Sequence, residues 1–381
     1  MYKMMTPGPT QVTEYVRMAR SREFGNPDLD AEFVEFYKET CEKISKLLDT
    51  ENETLILGGE GILGLEAACA SLTEPGDRVL VLDNGIFGRG FADFVSLYGG
   101  DPVLYSRDVR ETLDVAQLQE FLETDHDFKY ATVVHGDTPS GMLNDVGKIC
   151  PLLKSYGILT VTDAVSTSFG DALSVSKAQI DILCGGSQKV VSAPPGLTFV
   201  TISRDAKQAM EARKHPVASF YANLTTFAHY YEEKWFPYTM PVSDIYGLRA
   251  AIDLIEEDTE ILTRHQVLAE AVRKALLKAG LKLYQNSGFS NTVTVFEVPD
   301  GTTDQAILEH MQKEHGIMLA GSFGDLAGKV IRIGHMGNNA FSGKLAEVFA
   351  GLDETFSFLG IPLHAGLQES FCRALPQDCP F

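Results

Sequence analysis

From about residue 50 the sequence alternates short apolar, β-branched runs with stretches of helical periodicity. Thr54 to Gly58 (TLILG), Arg78 to Asp83 (RVLVLD), Tyr130 to His135, Ile158 to Asp163, Ile180 to Gly185 and Leu197 to Ile202 read as strands. Leu65 to Leu72 reads as a helix, and Pro75-Gly76-Asp77 as the turn that follows it. Apolar strands separated by helices must be covered on both faces, which a mostly parallel sheet between helices achieves. The fold class is therefore α/β. In such sheets ligand chemistry gathers at the carboxyl ends of the strands, and the loops there are the candidate site.

Downstream the pattern changes. A helical region from Asp244 to Lys278 stops at Gly280. Strand-like Asn291 to Val298, a helix from Asp304 to His315, strand-like Lys329 to Ile333 and a helix from Gly343 to Leu359 follow. This order describes a smaller α+β domain. The expected division is an N-terminal arm (1–15), a large catalytic domain (16–250), a small C-terminal domain (251–360) and a tail (361–381).

Charge and cysteine usage limit the partners. The chain holds 32 Lys and Arg against 52 Asp and Glu, a formal net charge of −20. Such a surface repels phosphate backbones and anionic lipid, so neither nucleic acid nor membrane is an expected partner. An anionic small molecule would need local positive charge against that field. Met1 to Thr10 has no apolar segment of the signal-peptide kind, and the apolar run Val190 to Ser203 is interrupted by Pro194, Pro195 and Gly196. The six cysteines show no C-x-x-C spacing. That pattern fits a cytoplasmic protein without a disulfide framework or metal site, Cys372 and Cys379 being a couple that could pair.

Several strand-end loops carry chemistry-bearing residues. Gly59-Glu60-Gly61-Ile62-Leu63-Gly64 is a G-x-G-x-x-G between a strand and a helix, with Asp83 24 residues beyond Gly59. This layout matches a dinucleotide fingerprint, and equally a plain glycine-rich strand-to-helix turn. The helix N-terminus offers N–H groups to phosphate in either case, but Glu60 sets a carboxylate in the same cup. Asp163 ends one strand and Lys189 follows the next in Gly185-Gly186-Ser187-Gln188-Lys189. Neighbouring parallel strands would bring both to one rim, where a lysine can form a Schiff base with an aldehyde and a carboxylate can keep a pyridine nitrogen protonated. The plainer alternative is two surface charges. His135-Gly136-Asp137-Thr138-Pro139-Ser140-Gly141 and Asn84-Gly85-Ile86-Phe87-Gly88-Arg89-Gly90 are further strand-end loops. Phe87 suits stacking on a flat ring or a place in the core. Arg332, inside the apolar stretch Ile331-Arg332-Ile333, needs a carboxylate from the protein or from a ligand. The aromatic segment Ser219 to Tyr238 suits a core or a subunit interface.

Together, Thr6-Pro7-Gly8-Pro9-Thr10, GEGILGLEA, NGIFGRGF, HGDTPSG, TDAVS, GGSQK with APPG, and RIGHMG resemble the class V, fold type I pyridoxal-phosphate aminotransferases. Within them the chain is most similar to the pyridoxamine–pyruvate and alanine–glyoxylate group, over nearly its whole length to about residue 360. The resemblance implies a homodimeric or tetrameric transaminase acting on a small amine and a 2-oxo acid. It implies Lys189 as Schiff-base lysine and proton shuttle, and Asp163 as partner of the pyridine nitrogen. Phe87 would stack on the ring and Thr138 would bond its hydroxyl region. Gln188 with the backbone of Gly61 and Ile62 would line the phosphate end, Thr239 would reach that end from a partner subunit, and Arg332 would clamp the substrate carboxylate. The cofactor would be pyridoxal 5′-phosphate, or unphosphorylated pyridoxal or pyridoxamine would serve as substrate. A Glu at the position of Glu60 accompanies the second case, giving pyridoxamine plus pyruvate as the expected pair. An Arg is expected there where this chain has Phe323, which leaves a phosphate-form alanine–glyoxylate or serine–pyruvate aminotransferase as the alternative. A cysteine desulfurase would need a mobile active-site Cys. An NAD-dependent oxidoreductase would explain the glycines and Asp83 but leave Lys189, Asp163 and Arg332 idle.

Overall fold

A computed structural model describes residues 2–377 and 379–381. Seven strands form the central sheet: β1 (Glu53–Gly58), β2 (Arg78–Asp83), β3 (Asp101–Ser106), β4 (Tyr130–Val134), β5 (Leu159–Asp163), β6 (Ile182–Gly186) and β7 (Leu197–Ile202). Their spatial order is β1-β7-β6-β5-β4-β2-β3. Every neighbouring pair is parallel except those made by β7, which runs antiparallel to β1 and β6. All residues of β4, β6 and β7 are buried, as runs covered on both faces must be.

The first helix of the rim shows how local sequence sets position. Gly61–Leu72 is capped by Glu60, whose side chain accepts the Ile62 N–H, and is rich in alanine, the strongest helix former. A Cβ on Gly64 would stand 2.4 Å from Thr198 Oγ1, and one on Gly61 2.7 Å from Val165 Cγ2. These glycines let the helix lie directly on the sheet.

A second hydrophobic core gathers Leu268, Val272, Phe296, Ile331, Phe349 and Phe356 around β8 (Val293–Glu297) and β9 (Val330–Gly334). Two expectations are corrected here. The helical region 244–278 is two helices, Val242–Glu257 and Ile261–Lys278. The polar Asp258-Thr259-Glu260 breaks them, and Asp258 Oδ2 accepts from Arg264 Nη2 at 2.6 Å across the bend. The supposed tail holds the helix Leu367–Ala374, whose Leu367 and Phe371 are fully buried in the second core. Their i, i+4 spacing gives a two-residue apolar stripe, too short to distinguish from a polar tail by periodicity. All six cysteines are free thiols, Cys372 and Cys379 included.

Candidate active site

Because β1, β2, β4, β5 and β6 point the same way, their carboxyl ends share one rim. Asp163 closes β5, and Val134 of β4 stands in register with it. Lys189 follows β6 by three residues. Around them a cavity of about 120 Å³ is lined by Glu60, Gly61, Ile62, Phe87, Thr138, Gln188 and Lys189, with Leu65, Gly136, Val165 and Ser166. Arg332, on β9, stands at the edge of this group through its Nη1 contact to the Thr138 carbonyl at 3.4 Å. Ten residues expected at a site are thus reduced to nine in one place. Thr239 is exposed elsewhere, against Asp28 Oδ2 at 3.4 Å. A larger open depression of about 1290 Å³ lies away from the rim. Its charges are engaged in ion pairs such as Lys207–Glu53 and Lys38–Glu42, so it presents solvated salt bridges and not convergent reactive groups.

The electrostatics at the rim follow from burial. Asp163 is pushed up to about 7 by burial, with the charges of Asp137 and Glu60 adding to the rise, while the Val165 N–H and Lys189 oppose it. Lys189 is pulled down from 10.5 to about 8, chiefly by burial and then by the Arg332 charge; Asp163, Glu60 and Asp137 hold it up. Arg332 falls to about 10 by burial, opposed by Asp137. Its Nε donates to the Gly321 carbonyl at 2.5 Å and its guanidinium lies 5.7 Å from the Phe323 ring centre. The side chain's direct contacts are therefore neutral groups, Asp137 acting on it through charge alone, and its remaining N–H groups can take a carboxylate from outside.

At the opposite end of the cavity, Glu60 Oε1 accepts the Ile62 N–H at 3.1 Å and Glu60 Oε2 accepts Gln188 Nε2 at 2.8 Å. Gln188 Oε1 is buried without a partner. Phe87 is half-buried on the cavity wall, edge-on to Phe323 with centroids 6.1 Å apart.

Asp137, Val165 and Pro7 were not singled out by the sequence reading. Asp137 takes the Phe87 N–H at 3.2 Å and the Ser140 hydroxyl at 2.6 Å, tying two strand-end loops together. Its signal was an Asx-type spacing to Ser140 inside a loop already noted. Pro7 meets Lys189 across 182 residues, and no local pattern marks that. Within the aromatic segment, Phe227, Tyr230 and Phe236 are core, whereas Phe220, Tyr221 and Trp235 are exposed. Asp83 is held by Ser106 Oγ at 2.7 Å, so the G-x-G-x-x-G stretch here serves helix-on-sheet packing.

The family model for aminotransferase class-V matches residues 6–333. The chain belongs to the class V aminotransferases. The dinucleotide reading is replaced by this membership. An aminotransferase of Methanocaldococcus jannaschii is 35% identical over 346 residues, covering 88% of this chain and 87% of its own. A pyridoxamine–pyruvate transaminase of Mesorhizobium japonicum is 33% identical over 318 residues, covering 82% and 81%. Among solved structures, the ureidoglycine–glyoxylate aminotransferase of Bacillus subtilis superposes with a TM-score of 0.94 at 27% identity, covering 98% of both chains. This aminotransferase therefore has the fold type I architecture, and its family depends on pyridoxal phosphate. No helix among the described residues is long and apolar enough to cross a membrane.

Proposed function

We propose that this aminotransferase moves the amino group of pyridoxamine to pyruvate, giving pyridoxal and alanine. The observation that carries the reading is the Glu60 carboxylate in the cup at the N-terminus of Gly61–Leu72. The cavity fits a pyridoxal-type ring: it offers a buried acid, an amine, an aromatic wall in Phe87 and a ring-sized space between loops. Its far end favours a hydroxyl over a phosphate. Glu60 occupies the Ile62 N–H and the Gln188 amide that a phosphate would claim, and Gln188 Oε1 is a buried acceptor awaiting a donor. A hydroxymethyl group donates there; a phosphate dianion beside Glu60 would be repelled.

When bound, the ring supplies a carbonyl that condenses with amines and an electron sink for the carbon that loses its proton. The chain's residues do the rest. Lys189 Nζ, lowered to about 8 and so a free base in a minor fraction near neutral pH, would take the proton from one carbon and return it to the other. Asp163, beside the ring nitrogen, would keep that nitrogen protonated. Phe87 would hold the ring plane, Thr138 its hydroxyl side, and Gln188 with the Gly61 and Ile62 backbone its far end. Arg332 would take the carboxylate of the 2-oxo acid in a two-pronged hydrogen bond. Thr239 would enter from a second copy of the chain. The exposed aromatics Phe220, Tyr221 and Trp235 support such a homodimer. The buried free thiols support a reducing compartment, the cytoplasm.

Phe323 beside Arg332 supports a second reading, a phosphate-form alanine–glyoxylate or serine–pyruvate aminotransferase. The test is an absorbance titration of the purified protein with pyridoxal and with its phosphate, then borohydride reduction and mapping of the labelled residue. Attachment of pyridoxal to Lys189, and alanine formed from pyridoxamine and pyruvate, are expected. Tight retention of the phosphate form with no turnover of pyridoxamine would overturn the vitamer assignment in favour of the second reading.

A further inference from the structure

The segment Thr6-Pro7-Gly8-Pro9-Thr10 crosses the reactive rim. Lys189 Nζ donates to the Pro7 carbonyl at 2.6 Å. Gly8 stands at φ +104°, and a Cβ there would lie 2.5 Å from Lys189 Cδ, 2.6 Å from Nζ and 2.7 Å from Cε. Position 8 thus has no room for a side chain while the lysine reaches toward Pro7. The segment is anchored on both sides. The Thr10 hydroxyl donates to the Lys189 carbonyl at 2.9 Å, and the Thr10 N–H to the Gln188 carbonyl at 3.1 Å. On the side of the second core, the Gly334 N–H donates to the Met5 carbonyl at 2.8 Å.

We propose that this strap holds the free lysine amine: the Pro7 carbonyl is a positioning acceptor for Lys189 Nζ, and the bare Gly8 keeps that resting place open. The proposal rests on the transaminase reading of Lys189. Amino transfer leaves the lysine unbonded for part of each cycle, and a flexible four-carbon stem needs an acceptor to stay aimed into the cavity. Asp163, Glu60, Asp137 and Arg332 are the charges that face Nζ, yet its hydrogen bond goes to a neutral carbonyl. A carbonyl favours the ammonium over the amine moderately, so the amine stays available as a base.

Competitive acetylation of the vitamer-free protein across a pH range, read at Lys189 by mass spectrometry, tests this without turnover. Thr10→Ala frees the strap without adding atoms. Its Lys189 should react severalfold faster, with a midpoint lower by about 0.5 in pH. Gly8→Ala should lower the unfolding midpoint more when Lys189 is present than in a Lys189→Ala background. A backbone-strain effect alone would be equal in both. Unchanged Lys189 labelling in Thr10→Ala, or equal losses from Gly8→Ala in the two backgrounds, would overturn the strap. If Gly8→Ala does not fold, the Thr10→Ala labelling decides. Borohydride capture of pyridoxal by the unsubstituted protein reports separately on the transaminase reading.

Discussion

Gln188 Nε2 donates to Glu60 Oε2 at 2.8 Å, while Glu60 Oε1 takes the Ile62 N–H in the first turn of the helix Gly61–Leu72. One carboxylate therefore holds two donors that would otherwise serve a phosphate. Replacing Glu60 by Ala should raise affinity for the phosphorylated vitamer relative to the free one by roughly ten- to a hundredfold, the size of one removed like-charge contact at a partly buried site. Paired absorbance titrations measure the ratio. An unchanged ratio would remove Glu60 as the discriminating group.

The acid–base behaviour of the rim has a definite sign. Burial and Arg332 hold Lys189 near 8 instead of 10.5. A lowered amine pKa means the reactive free base grows as pH rises and levels off above that value. Capture of pyridoxal by the ligand-free enzyme should climb about tenfold per pH unit below about pH 7.5 and flatten above about pH 8.5. Asp163, near 7, works against this limb as it ionises, because its carboxylate holds the Lys189 ammonium. In Arg332→Ala the limb should move to higher pH, since a charge that disfavours the ammonium is gone. Stopped-flow absorbance across pH checks both statements; a limb centred near 10.5 contradicts them.

Arg332 has no carboxylate partner in an ion pair among the described residues, and its neighbours are carbonyls and the Phe323 ring. Arg332→Ala should raise KM for the 2-oxo acid by about ten- to a hundredfold, the worth of a charge-assisted hydrogen bond. Arg332→Lys should recover only part of it, because a point charge lacks the planar fork. Steady-state kinetics with varied pyruvate separates KM from kcat, and an unaffected KM would place carboxylate recognition elsewhere.

Asp163→Asn removes a carboxylate buried at the end of β5 and keeps its shape. kcat should fall by a hundredfold or more on the order of other lost buried electrostatic contacts. Pyridoxal should still be captured on Lys189 by borohydride. Loss of capture together with turnover would instead mark a folding or binding defect.

Phe371 packs its ring 5.1 Å from Phe349 and is fully buried. Phe371→Ala should cost about 3–5 kcal/mol of unfolding free energy through lost burial and the cavity left behind. A urea midpoint within error of the unsubstituted protein would show that the C-terminal helix is dispensable to the second core.

The alternation of buried strands and helices was enough to place the sheet, and with it the rim where Asp163, Lys189, Phe87, Thr138 and the Gly59–Gly64 turn meet. Parallel strands align by direction, so knowing where each strand ends tells which loops share an edge. The break at Asp258 and the helix Leu367–Ala374 were not legible, because a short polar bend and a two-residue apolar stripe are weak against the surrounding periodicity.

By itself the sequence determined the fold class and the residue types at the rim, since burial and periodicity are local properties. Only the tertiary structure decided what those residues face. It set Glu60 on Gln188 and Ile62, left Arg332 without an ion-pair carboxylate among the described residues, placed Thr239 outside its own chain's cavity and brought Pro7 onto Lys189. Those relations depend mostly on contacts between distant segments, 182 residues apart for Pro7 and Lys189, and it is packing that closes such distances.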